Sequence, residues 1–123
     1  MANTTESSED YLEAILMLGQ RLPVVRSVDV ANELGFKKSS VSIAMKNLRE
    51  KDYIKVSEAG FITLTDAGKE IAEMIYERHR TLSDWLIKLG VPKDLALDDA
   101  CKMEHDMSPE TFAAIKKTIQ ASK

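Results

Sequence analysis

The sequence predicts a mainly α-helical chain in two units: three helices closed by a β-hairpin over residues 1–66, then an all-helical half over residues 67–123. Three observations carry this reading. Apolar residues recur at helical spacing through most of the chain. Two short β-rich runs, Tyr53-Ile54-Lys55-Val56 and Phe61-Ile62-Thr63-Leu64, break that spacing around a turn at Glu58-Ala59-Gly60. Prolines and glycines then fall where the helical patterns stop and restart.

Each element has its own signal. Residues 1–6 are polar and are expected to fray. Ser7 or Ser8 is expected to cap a first helix whose apolar face is Tyr11, Leu12, Ile15, Leu16 and Leu18. Pro23 ends it. Ser27 precedes a short helix over Val28–Leu34, stopped by Gly35 in the manner of a C-cap glycine. Lys37-Lys38-Ser39-Ser40 reads as a polar turn with a ready cap, and a helix runs from Val41 to about Lys51. Val41, Ala44, Met45 and Leu48 face inward there, with Ser42, Ile43, Lys46, Asn47 and Arg49 outward. After the hairpin, Thr65 or Asp66 caps a long helix from about Ala67 to Leu89, closed by Gly90. Pro92 fits the start of a helix over roughly 93–106. Ser108 caps a last helix with Pro109 at its first position. The domain boundary is placed at Asp66, and no repeat or low-complexity tract appears.

Bulk properties narrow the class. The chain has 123 residues, 44% of them hydrophobic and 30% charged, a soluble balance. It has no apolar run long enough for a membrane span and no apolar leader, so a cytoplasmic protein with no membrane partner is expected. Cys101 is its only cysteine, which suits a reducing compartment. The net charge of −3 argues at first against a nucleic-acid partner. Its distribution argues the other way: residues 1–20 carry four acids and no bases, whereas residues 21–55 carry eight bases and four acids. DNA meets a local field, not the sum over the chain.

Two short helices around Gly35, followed by a hairpin, form a winged helix-turn-helix pattern. Lys37, Lys38, Ser39 and Ser40 are placed to meet phosphates. Ser42, Ile43, Lys46 and Asn47 are candidates for the groove, where Asn and Lys read base edges and Ile43 packs on a thymine methyl. Three helices with a wing also occur in protein-interaction modules, and that alternative stays open on pattern alone.

A second constellation is formed by Asp10 and Glu13, three apart on the first helix; His79 within the apolar stripe of the long helix; and Cys101, Glu104 and His105, whose spacing lets them converge on one point. Carboxylate, imidazole and thiolate together suit a divalent transition metal. Taken singly, His79 reads as a satisfied core histidine, Asp10 and Glu13 as ordinary helix-start charges, and Cys101 as a buried thiol. Met103 reads as filler, and Asp98, Asp99 and Asp106 as solvated charges. No zinc-protease spacing, nucleotide loop or serine elbow appears, so an enzyme is not expected.

At these residues the chain resembles the family of the diphtheria toxin repressor and the manganese transport regulator. The resemblance runs through Glu9-Asp10-Tyr11-Leu12-Glu13, Ser39-Ser40-Val41-Ser42, Leu64-Thr65-Asp66-Ala67-Gly68-Lys69, Arg78-His79-Arg80 and Asp99-Ala100-Cys101-Lys102-Met103-Glu104-His105-Asp106-Met107-Ser108. It implies a metal-dependent, homodimeric repressor that docks on palindromic operator DNA and controls iron or manganese homeostasis. The short form, without an SH3-like domain, is expected. The implied metal ligands are Asp10, Glu13, His79, Cys101, Glu104 and His105. Cys101 follows the toxin-repressor branch, since the manganese branch has glutamate there. The ancillary site of that branch has a glutamate where this chain has Ser83 and a histidine where it has Leu97, so the resemblance does not carry that site over in its familiar form. The implied effector is Fe(II) or Mn(II), with Co(II), Zn(II) or Ni(II) able to substitute. Thiolate tilts the choice slightly towards Fe(II).

Metal is expected to favour the DNA-competent arrangement of the dimer, and DNA to tighten metal binding in return. Met74, Leu82, Trp85, Leu86 and Leu89 are the candidate dimer contacts, some of them serving the subunit core instead. The alternative is a regulator of the same fold whose metal site is structural or degenerate.

Overall fold

The structure, a computed structural model, describes residues 6–121. Except for Glu6, which opens the first helix, the polar start expected to fray lies outside the described residues. The order of elements is α1 (Glu6–Arg21), α2 (Ser27–Leu34), α3 (Lys38–Glu50), β1 (Ile54–Val56), β2 (Ile62–Leu64), α4 (Asp66–Lys88), α5 (Lys93–His105) and α6 (Pro109–Ala121). This is the mainly helical, winged helix-turn-helix architecture that the patterning predicts. The chain divides into two compact units between Glu73 and Met74, inside α4.

In the first unit, α1, α2 and α3 bury their apolar stripes around Leu12, Ile15, Val30, Val41, Leu48, Ile54 and Ile62. The strands pair antiparallel with Ile54 opposite Leu64 and Val56 opposite Ile62. The N–H of Ile62 donates to the Val25 carbonyl at 2.7 Å, which ties the wing to the α1–α2 connection. Tyr11 is buried in the same core, and loss of hydration raises its phenol above the usual tyrosine range.

Helix starts differ from the caps expected of serines. The first helix begins at Glu6, so Ser7 and Ser8 lie inside its opening turn. Ser27 is the first residue of α2, with Arg26 at the N-cap position, where its N–H donates to Asp29 Oδ2 at 2.9 Å. The turn between α2 and α3 is also tighter than expected. Gly35 takes φ 71°, and the N–H groups of Gly35 and Phe36 both donate to the Ala31 carbonyl. This left-handed closure redirects the chain so quickly that α3 starts at Lys38. Ser39 and Ser40 therefore belong to the first turn of α3, not to its cap.

The entry to α4 is a steric lock. Thr65 accepts from the Gly68 N–H at 3.1 Å and donates its hydroxyl to the Asp52 carbonyl at 2.7 Å. The Tyr53 carbonyl accepts from Thr65 N–H, and its oxygen would lie 2.0 Å from a Cβ placed on Gly68. Backbone stands against backbone there, so no rotamer relieves the clash.

The second unit packs the rest of α4 with α5 and α6 around Leu82, Ala100 and Phe112. Ser108 caps α6 as expected, its hydroxyl accepting from Thr111 N–H at 3.1 Å.

Gly68→Ala should lower stability by about 1–3 kcal/mol through overpacking. Gly19→Ala, in a helix and with nothing within 4 Å of the added Cβ, should be neutral or stabilising by up to about 1 kcal/mol. Paired urea titrations measure both. Equal effects at the two positions would show that the Tyr53 contact relaxes freely.

Candidate metal centre and nucleic-acid face

Helix α5 turns one polar stripe out of an otherwise apolar and small-residue packing face. Ala96 and Ala100 let it approach its neighbours with no exposed surface of their own. Cys101, Glu104 and His105 follow at three- and four-residue spacing, and their ligand atoms lie within 4.8 Å of one another. Glu104 has no exposed surface at all. Its Oε2 is 3.1 Å from Nδ1 of His79 on α4, and its Oε1 is 3.5 Å from Nε2 of His105. Oε1 has no hydrogen-bond partner.

A buried carboxylate with an orphaned oxygen is costly in a closed apolar core. A divalent cation would satisfy that oxygen, and the thiol and imidazole beside it supply the softer donors that transition ions take. The residues present therefore fit such an ion. With Nδ1 protonated, His79 donates to Glu104, an arrangement common around metal-bound groups.

The other residues of the constellation are placed as follows. Asp10 and Glu13 lie one turn apart on α1, both partly buried, in the first unit. Met103 packs against the core of the second unit. Asp98 and Asp106 are exposed and Asp99 is half-buried. Ser83 is buried and turns its hydroxyl back onto the His79 carbonyl of its own helix at 2.7 Å, so it is engaged within α4.

Arg78 was not among the candidate site residues, yet it is only 5% exposed. The signal was present in the sequence: Ile75, Arg78 and Leu82 share one helical face, and an arginine in an apolar stripe needs partners. Its Nη1 donates to the carbonyls of Glu104 and Met107, each at 2.9 Å.

On the first unit, Lys37, Lys38, Ser39, Ser40, Ser42, Ile43, Lys46 and Asn47 are all exposed. Val41, Met45 and Leu48 hold the opposite face of α3 in the core. Ile43 is 63% exposed, an unusual position for a large apolar side chain without a partner. No side chain caps the start of α3, so its first amides point outward with two lysines and two serines around them, a favourable setting for phosphate. The wing tip at Glu58 and Ala59 is exposed and carries no base. Arg26 stacks over Phe61 at 5.0 Å, which brings a cation to the turn end of the wing.

Among the apolar candidates of α4, Leu82 has no exposed surface and serves the subunit core. Trp85 and Leu86 pack against that core while partly exposed. Met74 and Leu89 are exposed, as are Ile87 and Leu95. Among the described residues, no helix is long and apolar enough to cross a membrane.

Residues 3–60 match the family described as iron dependent repressor, N-terminal DNA binding domain. Residues 65–123 match the iron dependent repressor, metal binding and dimerisation domain. The chain is similar to an HTH-type transcriptional regulator of Methanocaldococcus jannaschii, 33% identical over 114 residues and 91% of each chain. It is likewise similar to the transcriptional regulator MntR of Escherichia coli, 33% identical over 97% of this chain and 77% of that one. Among solved structures, a manganese-dependent transcriptional repressor in complex with manganese superposes with a TM-score of 0.83 at 29% identity, over 92% of this chain. The chain spans about half of that protein, 52% of its length.

Glu104→Gln keeps the shape of the site and removes the buried charge. In metal-free buffer its Tm should equal or exceed that of the parent, because an amide is easier to bury than a carboxylate. Thermal melts in the presence of a chelator measure this. A clear fall would mean that Glu104 serves the fold as an ion-pair partner of the two histidines.

Proposed function

The chain belongs to the iron-dependent repressor family of metal-dependent transcriptional regulators, and on that premise we propose that it is a metal-dependent repressor that binds palindromic operator DNA as a homodimer and controls iron or manganese homeostasis genes. Both halves of the chain match the family, whose members are regulators and not enzymes. The observation that carries the metal reading is the buried Glu104 with its orphaned Oε1, set beside a thiol and an imidazole.

The proposed division of labour is a DNA-binding domain over residues 1–66 and a metal-binding and dimerisation domain over residues 67–123. Asp10 and Glu13 of α1, His79 of α4, and Cys101, Glu104 and His105 of α5 are the proposed ligands. Lys37, Lys38, Ser39 and Ser40 would hold phosphates. Ser42, Ile43, Lys46 and Asn47 would enter the major groove. Met74, Trp85, Leu86 and Leu89 are the proposed dimer contacts, and the cytoplasm the proposed compartment.

The effector is Fe(II) or Mn(II). A similar solved structure is a manganese-dependent repressor, which favours Mn(II). Cys101 favours Fe(II), because Mn(II) gains least from thiolate. When bound, the ion supplies positive charge that neutralises the clustered acids. Co(II), Zn(II) and Ni(II) would substitute in vitro. Cys101 must lose its proton to bind, so affinity should fall as pH is lowered.

Anaerobic titration of metal-free protein with Co(II) should produce a thiolate-to-metal charge-transfer band that is absent in Cys101→Ser. A band of equal strength in that variant would remove Cys101 from the ligand set. Duplex binding should depend on added metal, and Asp10→Ala should weaken that dependence while leaving the dimer intact in sedimentation. Operator binding of equal strength with and without metal would point to a degenerate site. Lys37→Ala and Lys38→Ala should each weaken binding to all duplexes and reduce the salt slope by about one. An unchanged slope would take those lysines off the phosphate backbone.

A further inference from the structure

We infer that Arg78 is a positioning residue for the metal-ligand face of α5, acting through the main chain of that helix; the inference rests on the metal reading above. Glu104 and His105 stand in the last turn of α5, which ends at His105. Carbonyls of a last turn have no partner within the helix, and such turns fray. Arg78 removes that freedom. One terminal nitrogen donates to the Glu104 carbonyl and to the Met107 carbonyl, each at 2.9 Å. The guanidinium also stacks over the Phe112 ring of α6 at 5.4 Å. The last turn of α5, the connection to α6 and the first turn of α6 are thus clamped by one side chain.

A purely structural arginine of this kind would be an unusual choice. It is 5% exposed, its bonds go to carbonyl oxygens, and its Nε has no hydrogen-bond partner. Burying a guanidinium on such terms is expensive, and an apolar side chain would pack the same space more favourably. The neighbouring residue supplies the reason for keeping it. His79 meets the carboxylate of Glu104 while Arg78 meets its carbonyl. Consecutive residues of α4 therefore hold the side chain and the main chain of one ligand. The three donors of α5 are set in place before any ion arrives, which is what a tight and selective site requires.

The test uses the full chain with Arg78→Lys and Arg78→Met. Lysine keeps the charge but lacks the planar fork. Both variants retain every proposed ligand. Co(II) affinity should fall about tenfold or more in Arg78→Met, as for loss of a group that orients a metal ligand. The Co(II) d–d spectrum should change shape, and Arg78→Lys should recover part of both. A folded variant with the parent's Co(II) affinity and spectrum would overturn the inference, even with a lowered Tm in metal-free buffer. Should neither variant fold, the parent protein decides: the Arg78 guanidinium NMR signals should shift on Zn(II) loading, and unmoved signals would overturn the inference. A parent chain that binds neither ion would instead defeat the metal reading, and this inference with it.

Discussion

Glu104 is a carboxylate with no exposed surface, on a helix whose other buried positions are alanines. An isolated charge in such a place would destabilise the fold, so everything around it is arranged to hold it. Two imidazoles flank its oxygens, and an arginine grips its carbonyl. Only one oxygen is left without a hydrogen bond. The second unit is small, with a core of a few apolar side chains around Leu82 and Phe112. A unit of that size has little surplus stability to support a costly group. That it carries one is the observation on which the proposed metal site rests.

The first unit is built on the opposite logic. Its core is apolar throughout, and its turns are closed by backbone bonds at Gly35 and Gly60 and by the hydroxyl of Thr65. That packing leaves one face of α3 exposed. A large apolar residue, Ile43, stands exposed there among serines, lysines and an asparagine. The face is polar at its lysines and serines and apolar at Ile43, the pattern on which the proposed DNA contacts rest. The acidic balance of the whole chain, −3, does not describe this segment, because residues 21–55 carry eight bases against four acids.

The two logics meet in α4. It begins in the first unit with its entry locked against Tyr53, and it continues into the second as the helix that supplies Arg78 and His79. Its sequence carries two successive duties, close approach at Gly68 and buried polar contacts at Arg78, His79 and Ser83.

Local pattern was enough to determine which segments are helices, where the wing lies, which face of α3 is outward, and that Cys101, Glu104 and His105 share one side of a helix. Those properties follow from periodicity and from turn chemistry between near neighbours. Tertiary structure decided the rest. The starts of α2 and α3 fell away from the expected serines because the side chain of Asp29 and the chain direction at Gly35 settled them. Gly68 has meaning only against a carbonyl distant in sequence, and Leu82 proved to be interior because α5 and α6 cover it. The orphaned oxygen of Glu104 and the two hydrogen bonds from Arg78 depend on groups more than twenty residues apart. Burial and hydrogen-bond partnership are properties of packed surfaces, and no one-dimensional spacing contains them.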